Sequence, residues 1–309
     1  MQVEPDGSFV GEEQARAGRV ASCYVLTLSE RRSASVHPKD QALQQAGKAG
    51  ARARAESYQE KLEWARKHLD ALDRDVSTFV TSDAYAILRD FNSETGKGVC
   101  HFSVKKAIPL DWSLRVGDIV HNMRSGLDAL VYALALEHSG EPTNEDAINI
   151  QFLICDTEAE FRKREARRHG RMSPAAQDGI TFVQPYKRPR AGYRNELAVL
   201  RDLSNIDKHR HLLPSFIAAN RGRITIRHPD APIAIRLPIR GRLVDRAVLG
   251  TFALHPGMDE LDVEYESNLT LDISFEEPAA GNHGIVSTLR LVDIYIQEVV
   301  LAEMEQYFR

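Results

Sequence analysis

The strongest pattern in the chain runs from Trp112 to Leu136. Val116, Ile119, Val120, Met123, Leu127, Leu130, Val131 and Leu134 recur at three- and four-residue intervals. On a helical wheel they fall in one arc about 120° wide. A helix with a single core face is predicted, stopped by Gly140 and Pro142. A second helix is predicted from about Asp40 to about Arg74, where strong helix formers dominate and Tyr58, Leu62, Ala65, Leu69 and Leu72 recur at the same spacing. Between these two segments the period changes to two. AYAILRDF and VCHFSVKKA alternate around NSETGKG, which predicts a β-hairpin.

Downstream, INIQFLI is a short apolar run predicted as a strand. TEAEFRKREARRHGR reads as a charged surface helix, and SPAAQDGITFVQPY as a short helix closed by Pro185. NELAVLRDLSNIDKHRHLLP reads as a further helix, ended by Pro214. RITIRH, IAIRLPI, AVLGTFAL and LDVEYESNLTLDISF are strand-like. The last segment carries Ile285, Leu289, Val292, Ile296, Val299 and Val300 at helical spacing.

Helices and strands come in runs rather than in strict alternation, so the expected class is α+β. The expected organisation is a poorly defined N-terminal arm over 1–36 and a helical bundle with a β-hairpin insertion over 37–219. An antiparallel β region over 220–282 and a final helix over 283–309 that returns to the bundle complete it.

Composition narrows the class without naming an activity. No run reaches the roughly 18–20 apolar residues of a membrane helix. The first twenty residues lack the basic and apolar regions of a secretory leader. Cys23, Cys100 and Cys155 lie far apart and form no CxxC pair, which fits a reducing cytoplasm and no cysteine metal site. Arg supplies 30 of the 40 basic residues, a bias of the kind a GC-rich bacterial genome produces.

Charge is unevenly placed. Residues 162–246 hold 20 Lys and Arg against 7 Asp and Glu, while residues 247–309 hold 2 against 12. The basic segment is a candidate surface for RNA or another anionic ligand, unless the two segments neutralise each other by packing together.

Candidate chemistry sits on the side of the 112–136 helix opposite its core face. Gly117, Asp118, His121, Arg124, Ser125, Asp128 and Tyr132 share that side, and the stretch contains no Lys and no Glu. Short polar groups that can satisfy one another suit a partly buried network better than a wet face. Gly117 and Gly126 each cost about 1 kcal/mol relative to alanine inside a helix, so each predicts a close neighbour. Asn205 and His209 share a face one turn apart in NIDKHR, with Arg201 and Asp202 beside them. Packing of the two helices would bring both constellations into one pocket.

GDIVHNMRSGLDALVYALA, QPY and NIDKHR resemble motifs of an uncharacterised family of bacterial proteins, over about residues 80 to 215. The chain departs from that pattern at Ala129, where histidine is usual, and at Leu153, where proline is usual. A more distant resemblance is to HEPN-like helical bundles, which include metal-independent ribonucleases of toxin and phage-defence systems. Their signature is an arginine followed, four to six residues on, by histidine. Arg115 to His121 fits it, but so do Arg164 to His169 and Arg223 to His228.

Three functions follow as expectations. In an RNA-acting enzyme, His121 or His209 would be general acid or base for attack of a 2′-hydroxyl. Arg124 or Arg115 would stabilise the phosphorane, with Asp128 part of the site. Asn122, Asn205, Asp207, Lys208 and Arg210 would be binding groups. In a non-catalytic binding or scaffold protein, the His/Arg/Asp stripe would be a structural network. In a metal-dependent hydrolase, His121, Asp128 and His209 would be ligands, although no HExxH is present. The expected partners are RNA or another anion and a second copy of the chain. No cofactor and no membrane is expected.

Overall fold

The computed structural model describes residues 38–189, 194–209, 212, 214–229, 235–257, 259, 263–268, 271–275 and 284–308. The expected N-terminal arm lies outside them. Two units divide the chain, Met1–Gln45 and Ala46–Arg309, and the second holds the packing described below.

The fold is α+β. Helix α1 spans Pro38–Thr81, beyond the expected Arg74, because Val76 extends its apolar stripe by another turn. Tyr58, Leu62, Ala65, Leu69, Leu72 and Val76 are all buried. The hairpin follows as β1 (Tyr85–Asn92) and β2 (Lys97–Val104), antiparallel, with Tyr85 opposite Val104. Helix α2 (Asp111–Ser139) ends where Gly140 takes φ of 71°, a left-handed turn that favours glycine. All eight residues of its predicted apolar arc are buried.

INIQFLI is not a strand. Its first residues close a short helix, α3 (Asn144–Asn149), and residues 150–155 belong to no helix or sheet. Helix α4 (Glu158–His169) starts at Thr157, whose hydroxyl accepts the Glu160 N–H. Helix α5 (Pro174–Phe182) and a 3₁₀ turn at Pro185–Lys187 lead to α6 (Glu196–His209).

Five more strands follow: β3 (Pro214–Arg227), β4 (Ile235–Leu243), β5 (Val248–Ala253), β6 (Glu264–Asn268) and β7 (Leu271–Phe275). They form two sheets, not one. β3 is central to the larger, flanked by β4 on one side and by β6 and β7 on the other. β5 leaves this group and pairs antiparallel with β2, so the hairpin becomes a three-stranded sheet. Phe216 on β3 joins the two sheets through Phe102, at 5.6 Å between ring centroids, and reaches α1 through Phe79, at 5.9 Å.

The last helix, α7 (Ile285–Tyr295), continues as a π-helical stretch over Ile296–Leu301. It packs on α1 and α6. Arg66 pairs with Asp293 at 3.1 Å, and Arg290 with Asp70 at 2.7 Å and Asp73 at 3.3 Å. Buried Tyr295 donates its hydroxyl to the Val183 carbonyl at 3.1 Å.

Candidate functional site

A buried chain segment outside any sheet must still satisfy its backbone groups. Residues 150–155 do so with side chains drawn from three directions. His169, at the end of α4, donates Nε2–H to the Gln151 carbonyl at 3.1 Å. On α2, Asp128 Oδ1 accepts the Phe152 N–H at 2.8 Å, and Arg124 Nη2 donates to the Phe152 carbonyl at 2.6 Å. The Gln184 carboxamide, just after α5, donates to the Leu153 carbonyl at 2.8 Å and accepts the Cys155 N–H at 3.0 Å. Arg124 and Asp128 also pair with each other at 3.2 Å. These side chains replace the neighbouring strand that an apolar run of this kind normally requires.

Among the described residues no hydrogen bond reaches the N–H or C=O of Ile154.

Beside this segment a cleft of about 450 Å³ opens between α2, α4 and α6. Arg124 enters from α2, Glu160 and Arg164 from α4, and Arg201, Ser204, Asn205 and Lys208 from α6. Gln151–Ile154 and Asp156 form the remaining wall. Four cations thus face two carboxylates. Both carboxylates are engaged, Glu160 with Arg164 at 3.3 Å and Asp156 with Arg201 at 2.8 Å. Lys208 and Asn205 are exposed and have no partner among the described residues.

Arg124 itself is largely covered, with 19% of its side chain exposed. Its Nη1 is buried and makes no hydrogen bond. Burial pulls the guanidinium below its ordinary pKa. Asp128 opposes that pull, while the nearby Arg164 and Arg168 add to it. Cations therefore crowd this end of the cleft. A larger hollow of about 760 Å³ lies at the end of α1 beside β1, and Asp83, which lines it, is paired with Lys105 at 2.6 Å.

Gly117 brings α6 onto α2. A Cβ at that position would stand 2.5 Å from Asp207 Oδ1. Gly126 does the same for α1, where a Cβ would stand 2.8 Å from Leu62 Cδ2. The two interior glycines thus mark contacts of α2 with α6 and with α1.

The sequence-predicted site residues divide clearly. Arg124, Asn205 and Lys208 meet in the cleft. His121 is exposed on α2 and His209 is exposed at the end of α6, and neither lines the cleft. Asp128 is taken up by Phe152. Arg115 pairs with Asp75 on α1 and with Asp111 at 3.2 Å on its own helix. Asn122 donates back to the Asp118 carbonyl at 2.8 Å. Asp207 packs against Gly117, and Arg210 lies outside the described residues.

A metal triad of His121, Asp128 and His209 is not assembled. Among the described residues no group of three or more His, Cys, Asp or Glu side chains is placed to hold a metal ion. Among the described residues, too, no helix is long and apolar enough to cross a membrane.

Sequence reasoning missed Gln151, Ile154, Asp156, Glu160 and Arg164, and the clamping roles of His169 and Gln184. The QPY motif contained Gln184, and its spacing from IQFLI gave no indication that the two meet. No family model, curated protein or solved structure matches the chain.

Proposed function

We propose that the protein is a non-catalytic binding protein. The Arg124–Asp128 pair is its structural network, and the cleft between α2, α4 and α6 takes an anionic ligand. One observation carries this reading: among the described residues four cations line the cleft with two carboxylates, and one of the four, Lys208, is exposed and has no partner there. Arg164, Arg201 and Lys208 come from the basic 162–246 segment, so its charge surplus contributes directly to the cleft.

The test is thermal melting with heparin and with a single-stranded RNA oligonucleotide, for the parent chain and Lys208→Ala. A rise in Tm that Lys208→Ala abolishes supports the cleft as the site. No rise with either polyanion overturns it.

An RNA-acting enzyme is the second reading, of the kind the HEPN resemblance implies. It is favoured by the exposure of His121, which stands one turn from Arg124 on the same side of α2 and leaves an imidazole accessible to substrate. Cleavage of the oligonucleotide that His121→Ala removes would put this reading first.

A further inference from the structure

The outer side of α2 has the make-up of an interface rather than of a wet surface. Between Trp112 and Leu136 the helix carries no Lys and no Glu, residue types that are depleted at the centres of protein interfaces. Leu110, just before its first turn, is 80% exposed, and Leu114, one turn on, is 59% exposed. The two form an apolar end to this side.

Trp64 on α1 extends the patch. Lys61 donates to Ser125 Oγ on α2 at 3.3 Å, so this side of α1 borders the outer side of α2. Trp64 follows Lys61 by three residues and is 55% exposed, with its ring edge-on to His68 at 4.8 Å between centroids. Tryptophan is among the residue types that most often anchor an interface.

The polar positions select the partner. Leu114, Asp118, His121 and Ser125 follow one another at four, three and four residues, the spacing of a seam between packed helices. Asp118 and His121 are exposed, and among the described residues neither side chain has a partner. A two-fold axis crossing between residues 119 and 120 sets Asp118 against the partner's His121, and His121 against the partner's Asp118. One layer out at each end, Leu114 meets the partner's Ser125, a small residue facing a large one. The seam is thus complementary to itself in charge and in size.

We propose that the chain forms a two-fold homodimer through this face, with α2 antiparallel to the α2 of a second copy and Trp64 at the flank. This is independent of what the cleft binds.

Sedimentation velocity of the full chain over a roughly hundred-fold range of concentration tests it. The dimer should build up as concentration rises. Leu114→Arg and Trp64→Ala should each raise its dissociation constant roughly ten-fold or more. Both side chains are exposed, so melting of the dilute chain should change little. His121→Asp should also weaken the dimer, because it sets like charges across the axis. Exchanging the pair, Asp118→His together with His121→Asp, should restore association, which damage to the fold by either change would not.

A monomer at every concentration, or a dimer indifferent to both Leu114→Arg and Trp64→Ala, overturns the proposal. A dimer that Leu114→Arg breaks but that the exchange fails to restore overturns the register of Asp118 on His121.

Discussion

Asp128 on α2 accepts the backbone N–H of Phe152 at 2.8 Å, across 24 residues of chain. A side chain that sequence reasoning placed in a catalytic stripe thus serves as a substitute strand. Arg124, one turn earlier, completes the substitution by donating to the carbonyl of the same residue.

Asp128→Ala should therefore destabilise the fold. It leaves the Phe152 N–H without its acceptor and the largely covered Arg124 without its counter-ion. A loss of about 2–4 kcal/mol is expected. Asp128→Asn, which keeps an acceptor oxygen, should lose less. Urea denaturation of both variants checks the order, and equal losses would mean that the Phe152 bond is not what matters.

Gln184→Ala removes one donor and one acceptor from the buried 153–155 backbone, together with a 3.2 Å bond to the Ile180 carbonyl. The expected cost is again roughly 2–4 kcal/mol, read from the shift in denaturation midpoint at constant slope. Gln184→Glu should be worse, because a carboxylate would face the Leu153 and Ile180 carbonyls.

Gly117→Ala should change sign with its background. In the parent chain the new methyl meets the Asp207 carboxylate and displaces it, so stability falls. In an Asp207→Ala chain the obstruction is gone, and alanine should then gain up to about 1 kcal/mol as the better helix former. A double-mutant cycle by thermal melting measures this coupling.

Acid should weaken the molecule partly through His169. The residue is 1% exposed, and burial lowers its pKa from 6.5 to about 4, with Arg168 pushing the same way and the Gln151 bond opposing. The folded state keeps it neutral, with Nε2–H on Gln151 and Nδ1 without a partner. Between pH 6.5 and 4 the unfolded chain binds the extra proton, so stability rises with pH across that window. The contribution is complete above the unfolded value and is lost as pH falls towards the folded one. It changes by at most about 1.4 kcal/mol per pH unit. Burial raises the pKa of Asp272, which acts in the opposite direction, so His169 is isolated by the difference between the parent chain and His169→Gln. Parallel stability curves for the two between pH 4 and 7 would exclude the assignment.

The α2 core face was fully legible, since an eight-residue apolar arc admits one burial pattern and all eight residues are buried. Gly117 and Gly126 were legible for a related reason: a residue that weakens a helix survives where something must come close. INIQFLI was misread because periodicity reports burial, not the hydrogen-bond partner. The partners here are side chains from Arg124 to Gln184 instead of a strand. β5 is a similar case, since alternation fixes which face is buried but not which sheet the strand joins. On the cleft, Arg124, Asn205 and Lys208 were found because they lie on recognisable helices. Arg164 was passed over because its helix, with acids one turn from its arginines, reads as surface.

The clamp on residues 150–155 also constrains the order of folding. Its ligating side chains come from 24 residues upstream, at Asp128, and from 29 residues downstream, at Gln184. Local bonds hold only its start, where the Ile150 N–H reaches the Asp146 carbonyl at 3.1 Å, so residues 152–155 lock only once α2 and α5 have docked. The cleft whose wall it forms should then appear only with the last cooperative step of assembly.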